Sequence, residues 1–211
     1  MRRTFLSLLF LSFSFALMAQ TDVQALKILD QFSAKATKAP SVFMEFNLVT
    51  INQAEGTTDS MEGSVLISKD KYKLELPDNV TFFNGESTWS YLPAEKEVTI
   101  TKAEKGDDSF MSKPSTIFTL YKKGYKCRLI DETPDLYVID LYPEELKTEI
   151  IRIRTTISKV QMEPVNFEYK RKDGIVITLN IISYDLKQQP KPDSFVFQEA
   201  KYPGVEVIDM R

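Results

Sequence analysis

Residues 41–208 carry a repeated two-residue alternation of apolar and polar side chains, and this pattern constrains the fold more than any other feature of the sequence. Successive side chains of a strand point to opposite faces of a sheet, so alternation predicts strands with one apolar face. About eleven short segments of this kind follow one another between turn signals, of which Asn84-Gly85 and Asp173-Gly174 are typical of tight hairpins. The pattern predicts an antiparallel barrel or sandwich in a single, mostly β domain.

The residues ahead of these strands predict one amphipathic helix. Over residues 22–38, apolar side chains recur at the spacing of one helical face. Thr21 or Asp22 can cap the first turn, and Pro40 ends the helix because proline cannot continue it. A helix with one apolar face must lie on an apolar surface, so we expect it to pack on the sheet.

Residues 103–116 interrupt the strand pattern with a polar insert. Pro114 then begins a short apolar stretch, and Gly124 follows that stretch. Proline in the first turn and glycine just after the last turn are typical of short helices. The sequence therefore predicts a helix of one to two turns between strands, able to move as a lid.

Residues 1–19 have the three-part layout of a secretory signal peptide. Arg2-Arg3 supplies positive charge, residues 4–18 are apolar and uncharged, and Ala19 is small enough to precede a cleavage site. A transmembrane anchor is the alternative, but spanning a membrane takes about 20 apolar residues. No cysteine lies near the leader to accept a lipid. We expect cleavage to leave an exported, soluble domain of residues 20–211.

Composition argues against several classes of enzyme and partner. The chain has no histidine and a single cysteine, Cys127, which we expect to be a buried structural thiol. Ser-His and Cys-His nucleophile pairs, and the commonest ligand of catalytic zinc, are therefore missing. Neither a metal-binding spacing nor a phosphate-binding glycine loop is present, so we expect no catalysis, no metal and no cofactor. The formal net charge of −3 argues against nucleic acid as a partner.

Four clusters of charged residues fall at predicted turns or in the polar insert: Asp107-Asp108, Lys122-Lys123, Glu144-Glu145 and Lys170–Lys172. Neighbouring charges on turns usually point into water. We therefore expect the acidic pairs to form no acid–base centre and the basic clusters to serve solubility.

Several predicted strands offer one wholly apolar face, and two interpretations of these faces stay open. They can form a sealed core beneath the helix, or the wall of an open cavity. Trp89 and Tyr91 indicate such a wall. The apolar residues after the polar insert indicate a lid: Ile117, Phe118, Leu120 and Tyr121.

Three short segments resemble, in the same order, those of one protein family. Residues 62–69 (EGSVLISK) resemble an E-G-x-L-x-[IV]-x-[KR] segment, and residues 83–91 (FNGESTWSY) resemble a D-G-x-x-L-W-x-Y segment. Residues 195–209 resemble a closing F-x-F…P-x-G-V-x-V segment. Following a leader and an amphipathic helix, they make essentially the whole mature chain similar to the LolA-type outer-membrane lipoprotein carriers.

This resemblance implies an unclosed antiparallel β-barrel of about eleven strands, with the N-terminal helix and a short helical lid over an apolar cavity. It implies a periplasmic carrier that binds the acyl chains of lipoproteins and shuttles them from the inner to the outer membrane without catalysis. The implied partners are acylated lipoproteins, an inner-membrane lipoprotein-releasing complex and an outer-membrane acceptor, and we expect a monomer. The lipid-binding residues expected on these grounds are Met44, Phe46, Leu48, Val65, Leu74, Leu76, Trp89, Tyr91, Ile117, Phe118, Leu120, Tyr121, Ile139, Phe167, Ile177 and Leu179.

One position departs from the family pattern. The family often has an arginine followed by a proline after the first motif's strand, and that arginine is tied to holding the lid closed. Here Lys69 stands at this place, with Asp70 after it. Because of its position, Lys69 is the candidate latch for the lid. Lysine lacks the planar fork of arginine, so we expect apolar contacts to carry more of the lid's closure.

Other functions stay open. A lipid-sensing regulatory protein or a general lipid binder can use the same half-barrel, although sensors of that kind usually carry a second domain. A membrane-anchored receptor of the LolB type needs an acylated cysteine near the leader, and this sequence has none there.

Overall fold

The computed structural model describes residues 22–103 and 110–211. The expected leader, residues 1–19, and the acidic pair Asp107-Asp108 lie outside the described residues. Within the described ranges the chain forms one α-helix, four short 3-10 helices and twelve strands. None of the helices in these ranges is long and apolar enough to cross a membrane.

Helix α1 (Val23–Lys38) begins at its expected cap. The Asp22 carboxylate accepts hydrogen bonds from the amides of Gln24 (2.8 Å) and Ala25 (3.3 Å), two of the donors that a helix start leaves unpaired. The Asp22 amide also donates to the carbonyl of Cys127 at 2.9 Å, which ties the helix start to a strand. The buried face of α1 consists of Ala25, Ile28, Leu29, Phe32, Ser33 and Ala36.

Strands make up most of the remaining described chain, as the two-residue alternation predicts. In the first strand Met44 and Phe46 are fully buried, whereas Glu45 between them is exposed. The strands are β1 (Val42–Asn52), β2 (Thr57–Ser68), β3 (Lys71–Glu75), β4 (Val80–Phe83), β5 (Ser87–Leu92), β6 (Glu97–Lys102), β7 (Tyr125–Glu132), β8 (Leu136–Pro143), β9 (Ile150–Ser158), β10 (Pro164–Arg171), β11 (Ile175–Asp185) and β12 (Glu206–Asp209).

The twelve described strands belong to one sheet, in the order β12-β6-β5-β4-β3-β2-β1-β11-β10-β9-β8-β7. Strands β1–β6 form one antiparallel meander and β7–β11 form another, and the two meet where β1 pairs with β11. Because β12 and β7 are separate edges, the sheet is not closed into a barrel. This confirms the predicted class of a mostly β, unclosed barrel with one N-terminal helix.

The order of the strands forces the chain to cross the sheet between β6 and β7, and again, over β1–β6, between β11 and β12. Strand β6 lies next to one edge and β7 forms the other, so the connection between them must pass over a whole face. We call residues 110–124 the crossing segment. It contains two 3-10 helices, Pro114–Phe118 and Leu120–Lys122, where the sequence predicts a single short helix. The crossing segment and α1 pack on the same face of the sheet, which we call the inner face.

Two glycines are required by local geometry. Gly85, in the turn between β4 and β5, has a φ of 100°, a left-handed conformation that other residues rarely adopt. The side chain of Asn84 stabilises the same turn by accepting from the amides of the two residues after Gly85, both at 2.9 Å. Gly63 in β2 faces Phe46, whose ring would lie 2.8 Å from an added Cβ. The glycine of the first family-like motif therefore makes room for a core aromatic ring.

Buried apolar side chains form two clusters among the described residues. The larger one joins α1, the crossing segment and the inner face of most strands. The smaller one lies near the β12 edge of the sheet and consists of Phe82, Trp89, Val98, Ile100 and Phe197.

Three details differ from the expectations. Strand β12 runs parallel to β6, although the pattern predicts antiparallel strands throughout, and the number of strands is twelve instead of about eleven. The end of the strand pattern predicts a strand over residues 195–197, but Phe195 instead ends a 3-10 helix that begins at Pro192, a residue preorganised for a first helical turn, and residues 196–197 form no strand. Packing places this segment, because the Phe197 ring lies 5.9 Å from that of Phe82.

Candidate functional site

Buried side chains hold the crossing segment to α1. Ile117, Phe118 and Tyr121 are only 3%, 2% and 4% exposed. The ring centroids of Phe118 and Phe32 on α1 lie 5.7 Å apart, a favourable distance for an aromatic pair. This side of the crossing segment is therefore part of the protein core.

Tyr121 adds a polar bond between the crossing segment and α1. Its hydroxyl donates to Oδ1 of Asp30 at 2.6 Å. Burial, followed by this hydrogen bond, raises the pKa of Tyr121 well above its usual value, so the hydroxyl stays protonated and able to donate. A hydrogen bond to a carboxylate is stronger than one between neutral groups. The Tyr121–Asp30 hydrogen bond thus joins the crossing segment to α1, a contact that the sequence alone does not show.

On its other side the crossing segment covers a cavity of about 800 Å³. Strands β1, β9, β10 and β11 line it from below. The exposure of Met111 and of neighbouring lysines shows that the cavity opens to solvent. Its lining residues are Leu48, Thr50, Phe110, Met111, Lys113, Ser115, Thr116, Thr119, Leu120, Lys122, Lys123, Tyr125, Ile150, Ile153, Tyr169, Arg171, Ile177 and Leu179.

Two tyrosines add hydrogen-bond donors to the otherwise mostly apolar interior of the cavity. Burial raises the pKa of both Tyr125 and Tyr169, and the proximity of Tyr125 adds to the effect at Tyr169. Both phenols are therefore protonated at neutral pH. Neither hydroxyl has a hydrogen-bond partner within residues 22–103 and 110–211, so both are available to a ligand.

Basic side chains surround the mouth of the cavity, and we call them the basic rim. Lys113, Lys122 and Lys123 are exposed lining residues of the crossing segment. Arg171 reaches the same mouth from the end of β10 and pairs with Asp173 at 2.6 Å. The sequence assigns three of these four residues to solubility, whereas the structure brings them together around one opening.

The expected lipid-binding residues fall into several groups. Four line the cavity: Leu48, Leu120, Ile177 and Leu179. Nine are packed in the larger core cluster: Met44, Phe46, Val65, Leu74, Ile117, Phe118, Tyr121, Ile139 and Phe167. Leu76 is partly buried against that cluster, and Trp89 and Tyr91 belong to or pack on the smaller one.

A narrow void lies between the residues that line the cavity and those packed in the larger core cluster. It has a volume of about 10 Å³ and shares Leu120 and Ile153 with the cavity. Ile117, Tyr121 and Phe167 lie around it. The void has room for about one water-sized probe. It marks the place where the cavity borders directly on the sealed core.

Two expected features lie away from the cavity. Trp89 and Tyr91 pack towards the C-terminal residues, and the ring of Tyr91 lies 4.7 Å from that of Tyr202. Lys69 is exposed in the turn between β2 and β3, with a φ of 57°. It makes no hydrogen bond or ion pair with any residue of the described ranges. Its role as a latch stays a prediction.

On the outer face of the sheet, Asp140 is the buried carboxylate among the residues that the structure describes, and its side chain is 2% exposed. Arg154 donates to it through Nε (2.6 Å) and Nη2 (2.9 Å), and the Tyr142 hydroxyl donates at 3.0 Å. Burial alone would raise the pKa of Asp140, but these hydrogen bonds and the nearby Arg152 hold it below its usual value. The carboxylate is therefore charged and engaged in an ion-pair cluster with Arg152 and Arg154.

Comparisons with known proteins identify the family. The sequence profile described as outer membrane lipoprotein carrier protein LolA matches residues 15–174. Comparison with curated protein sequences gives no significant match.

Solved structures are similar to the chain at low sequence identity. An uncharacterized conserved protein from Thermus thermophilus is 12% identical, with a TM-score of 0.57 over 88% of this chain and 99% of that one. A putative outer membrane lipoprotein-sorting protein domain from Vibrio parahaemolyticus is 10% identical, with a TM-score of 0.45 over 82% and 96%. The MucA/MucB complex of Pseudomonas aeruginosa is 10% identical, with a TM-score of 0.39 over 83% and 62%.

The Thermus likeness shows a shared fold, and the family assignment rests on the sequence profile. Proteins of this family are periplasmic, and the family is one of binding and carrier proteins and not of enzymes. Because the profile covers most of its length, this chain belongs to the LolA outer membrane lipoprotein carrier protein family.

Proposed function

We propose that this protein binds the acyl chains of lipoproteins in the cavity beneath the crossing segment and carries them through the periplasm from the inner to the outer membrane. The observation that carries the proposal is the cavity of about 800 Å³ on the inner face of the sheet. This volume lies within the range of about 300–1,000 Å³ that is usual for small-ligand sites. Membership of the LolA family and the signal-like leader support the same function.

The walls of the cavity suit acyl chains. Leu48 and Leu179 line the floor of the cavity, and Phe110 and Leu120 line the covering segment. Each buried methylene contributes about 0.8 kcal/mol, so about ten of them contribute roughly 8 kcal/mol before the cost of association. Chain burial alone therefore supplies useful affinity without any covalent step. A carrier of this kind takes its cargo from an inner-membrane releasing complex and delivers it to an outer-membrane acceptor.

Filling the cavity tests the proposal. Ile177 lines it from β11, whereas Ile182 on the same strand is 59% exposed. We expect Ile177→Trp to weaken binding of a synthetic diacylated lipopeptide at least tenfold, since the new ring occupies the ligand's volume. The free energy of unfolding changes by less than about 1 kcal/mol, because the ring enters empty space. Ile182→Trp is the matched control and leaves lipopeptide affinity unchanged.

The readout is native mass spectrometry of the mature protein, together with displacement of an uncharged fluorescent probe. Saturable lipopeptide binding that Ile177→Trp weakens at least tenfold and Ile182→Trp preserves supports a cavity carrier. Equal binding by both variants places the ligand elsewhere and contradicts the proposal. Depletion in the native host then separates a carrier from a general lipid binder, since only loss of a carrier leaves lipoproteins in the inner membrane.

A further inference from the structure

The charged residues that line the cavity in the described part of the chain are all basic. Of its lining residues in the described ranges, Lys113, Lys122, Lys123 and Arg171 are basic, and none is acidic. Three of them come from the crossing segment and one from the end of β10, so the sheet and its cover both contribute. A ring of like charge beside an apolar cavity raises the local concentration of oppositely charged ligands.

The donors inside the mouth are suited to oxygen atoms. Tyr125 directly follows the crossing segment, and Tyr169 lies two residues before Arg171 on β10. Their phenols have no hydrogen-bond partner in the described part of the chain. Protonated phenols and ammonium groups both donate hydrogen bonds, and carboxylate or phosphate oxygens accept several.

We propose that the acyl ligand of this cavity also carries an anionic group, a carboxylate or a phosphate, next to its acyl chains, held at the mouth by Lys122, Lys123 and Arg171 with hydrogen bonds from Tyr125 and Tyr169. This inference rests on the proposed function and specifies the chemical class of its ligand. The apolar walls take the acyl chain, and the rim distinguishes anionic from neutral and cationic amphiphiles.

The size of the preference follows from the exposure of the rim. Exposed charge pairs contribute about 0.2–1 kcal/mol each and are screened by salt. Arg171 already pairs with Asp173, so its share is smaller than that of the two lysines. The two lysine contacts together give a preference of about twofold to thirtyfold in affinity.

Matched ligands test the inference. The mature protein is titrated with oleate and oleamide, and with lysophosphatidylglycerol and lysophosphatidylcholine of one acyl chain, all below their critical micelle concentrations. A neutral diacylated lipopeptide is the reference. We expect tighter binding of the anionic member of at least one pair, with the difference reduced in 0.5 M NaCl. A preference confined to the first pair identifies a carboxylate, and one confined to the second identifies a phosphate whose charge is not offset by a choline cation.

Charge reversal assigns the effect to the rim. We expect the double variant Lys122→Glu, Lys123→Glu to lose the anionic preference. The double variant Lys187→Glu, Lys201→Glu has the same change in net charge at exposed positions outside the cavity lining and keeps it. Tyr169→Phe, which removes one donor without a charge, weakens anionic ligands about twofold to tenfold.

Equal affinities within both pairs, or a preference that survives reversal at Lys122 and Lys123, overturn the inference. Failure of every amphiphile, including the lipopeptide, overturns the proposed function as well. The two failures are therefore distinguishable.

Discussion

Phe118 and Leu120 stand two residues apart in the crossing segment, and the structure gives them opposite environments. Phe118 is 2% exposed and packs on Phe32 of α1. Leu120 is partly exposed and lines the cavity. We therefore predict that Phe118→Ala lowers stability strongly, whereas Leu120→Ala mainly weakens ligand binding.

The magnitudes follow from burial. Truncating a fully buried phenylalanine to alanine costs about 3–5 kcal/mol, which includes the cavity left behind. For a chain of this size each kcal/mol corresponds to about 2–4 °C in Tm, so Phe118→Ala lowers Tm by about 6–20 °C. Leu120→Ala removes a side chain that is only partly packed, and we expect a loss of about 1 kcal/mol. Its lost contact with an acyl chain weakens lipopeptide affinity about tenfold.

Urea unfolding followed by circular dichroism measures the first effect, and the fluorescence of Trp89, the only tryptophan, provides a second probe. Lipopeptide titration under conditions in which both variants are folded measures the second effect. The reasoning is refuted if Phe118→Ala costs less than about 1 kcal/mol and weakens lipopeptide binding more than Leu120→Ala does. That result would make Phe118 a ligand contact, as the sequence predicts.

The remaining predictions concern polar groups. Tyr121→Phe removes the hydrogen bond to Asp30 and lowers the free energy of unfolding by about 1–2 kcal/mol in urea titrations. Lys69→Ala changes the free energy of unfolding and the lipopeptide affinity by less than about 1 kcal/mol. A larger loss of lipopeptide affinity would identify Lys69 as the latch. Asp140→Ala leaves two arginines without their buried partner and costs about 3 kcal/mol. Because the pKa of Asp140 is lowered in the folded state, its contribution is present above about pH 4 and is lost as the pH falls further, which urea midpoints between pH 7 and 3 measure. The raised pKa of Tyr169 has the opposite sign: its contribution is complete below about pH 10 and is lost at higher pH, so Tyr169→Phe should show a shallower decline between pH 9 and 11.

Most of the fold could be predicted because its signals are local. Alternation sets the face of each strand, and turn dipeptides set the hairpins: Gly85 and Gly174 both adopt the positive φ that tight turns need. The cap at Asp22 and the end near Pro40 are also encoded within a few residues. The parallel pairing of β12 with β6 could not be predicted, because no local pattern shows that a terminal strand returns beside β6.

The cavity could be predicted only in part, because its position depends on long-range pairing. Leu48, Ile177 and Leu179 share one apolar face whether that face is sealed or open, and alternation cannot distinguish the two. Where the crossing segment lies on the inner face decides which part remains uncovered. The basic rim was hidden for the same reason: Lys123 and Arg171 are far apart in sequence and meet only through the order of the strands.

The crossing segment is better described as a fixed wall of the cavity, anchored to α1 on one side, than as a lid that moves as a whole. Lifting it entirely would expose Ile117, Phe118 and Tyr121, each of which contributes about 1.5–3 kcal/mol through burial. The combined cost, about 5–9 kcal/mol, is comparable to the whole stability of a small domain and leaves a fully open state in fewer than about one molecule in a thousand. The cavity, in contrast, already opens to solvent beside Met111 and the rim lysines. We therefore expect acyl chains to pass through this existing mouth, with the anchored half of the segment staying in place on α1.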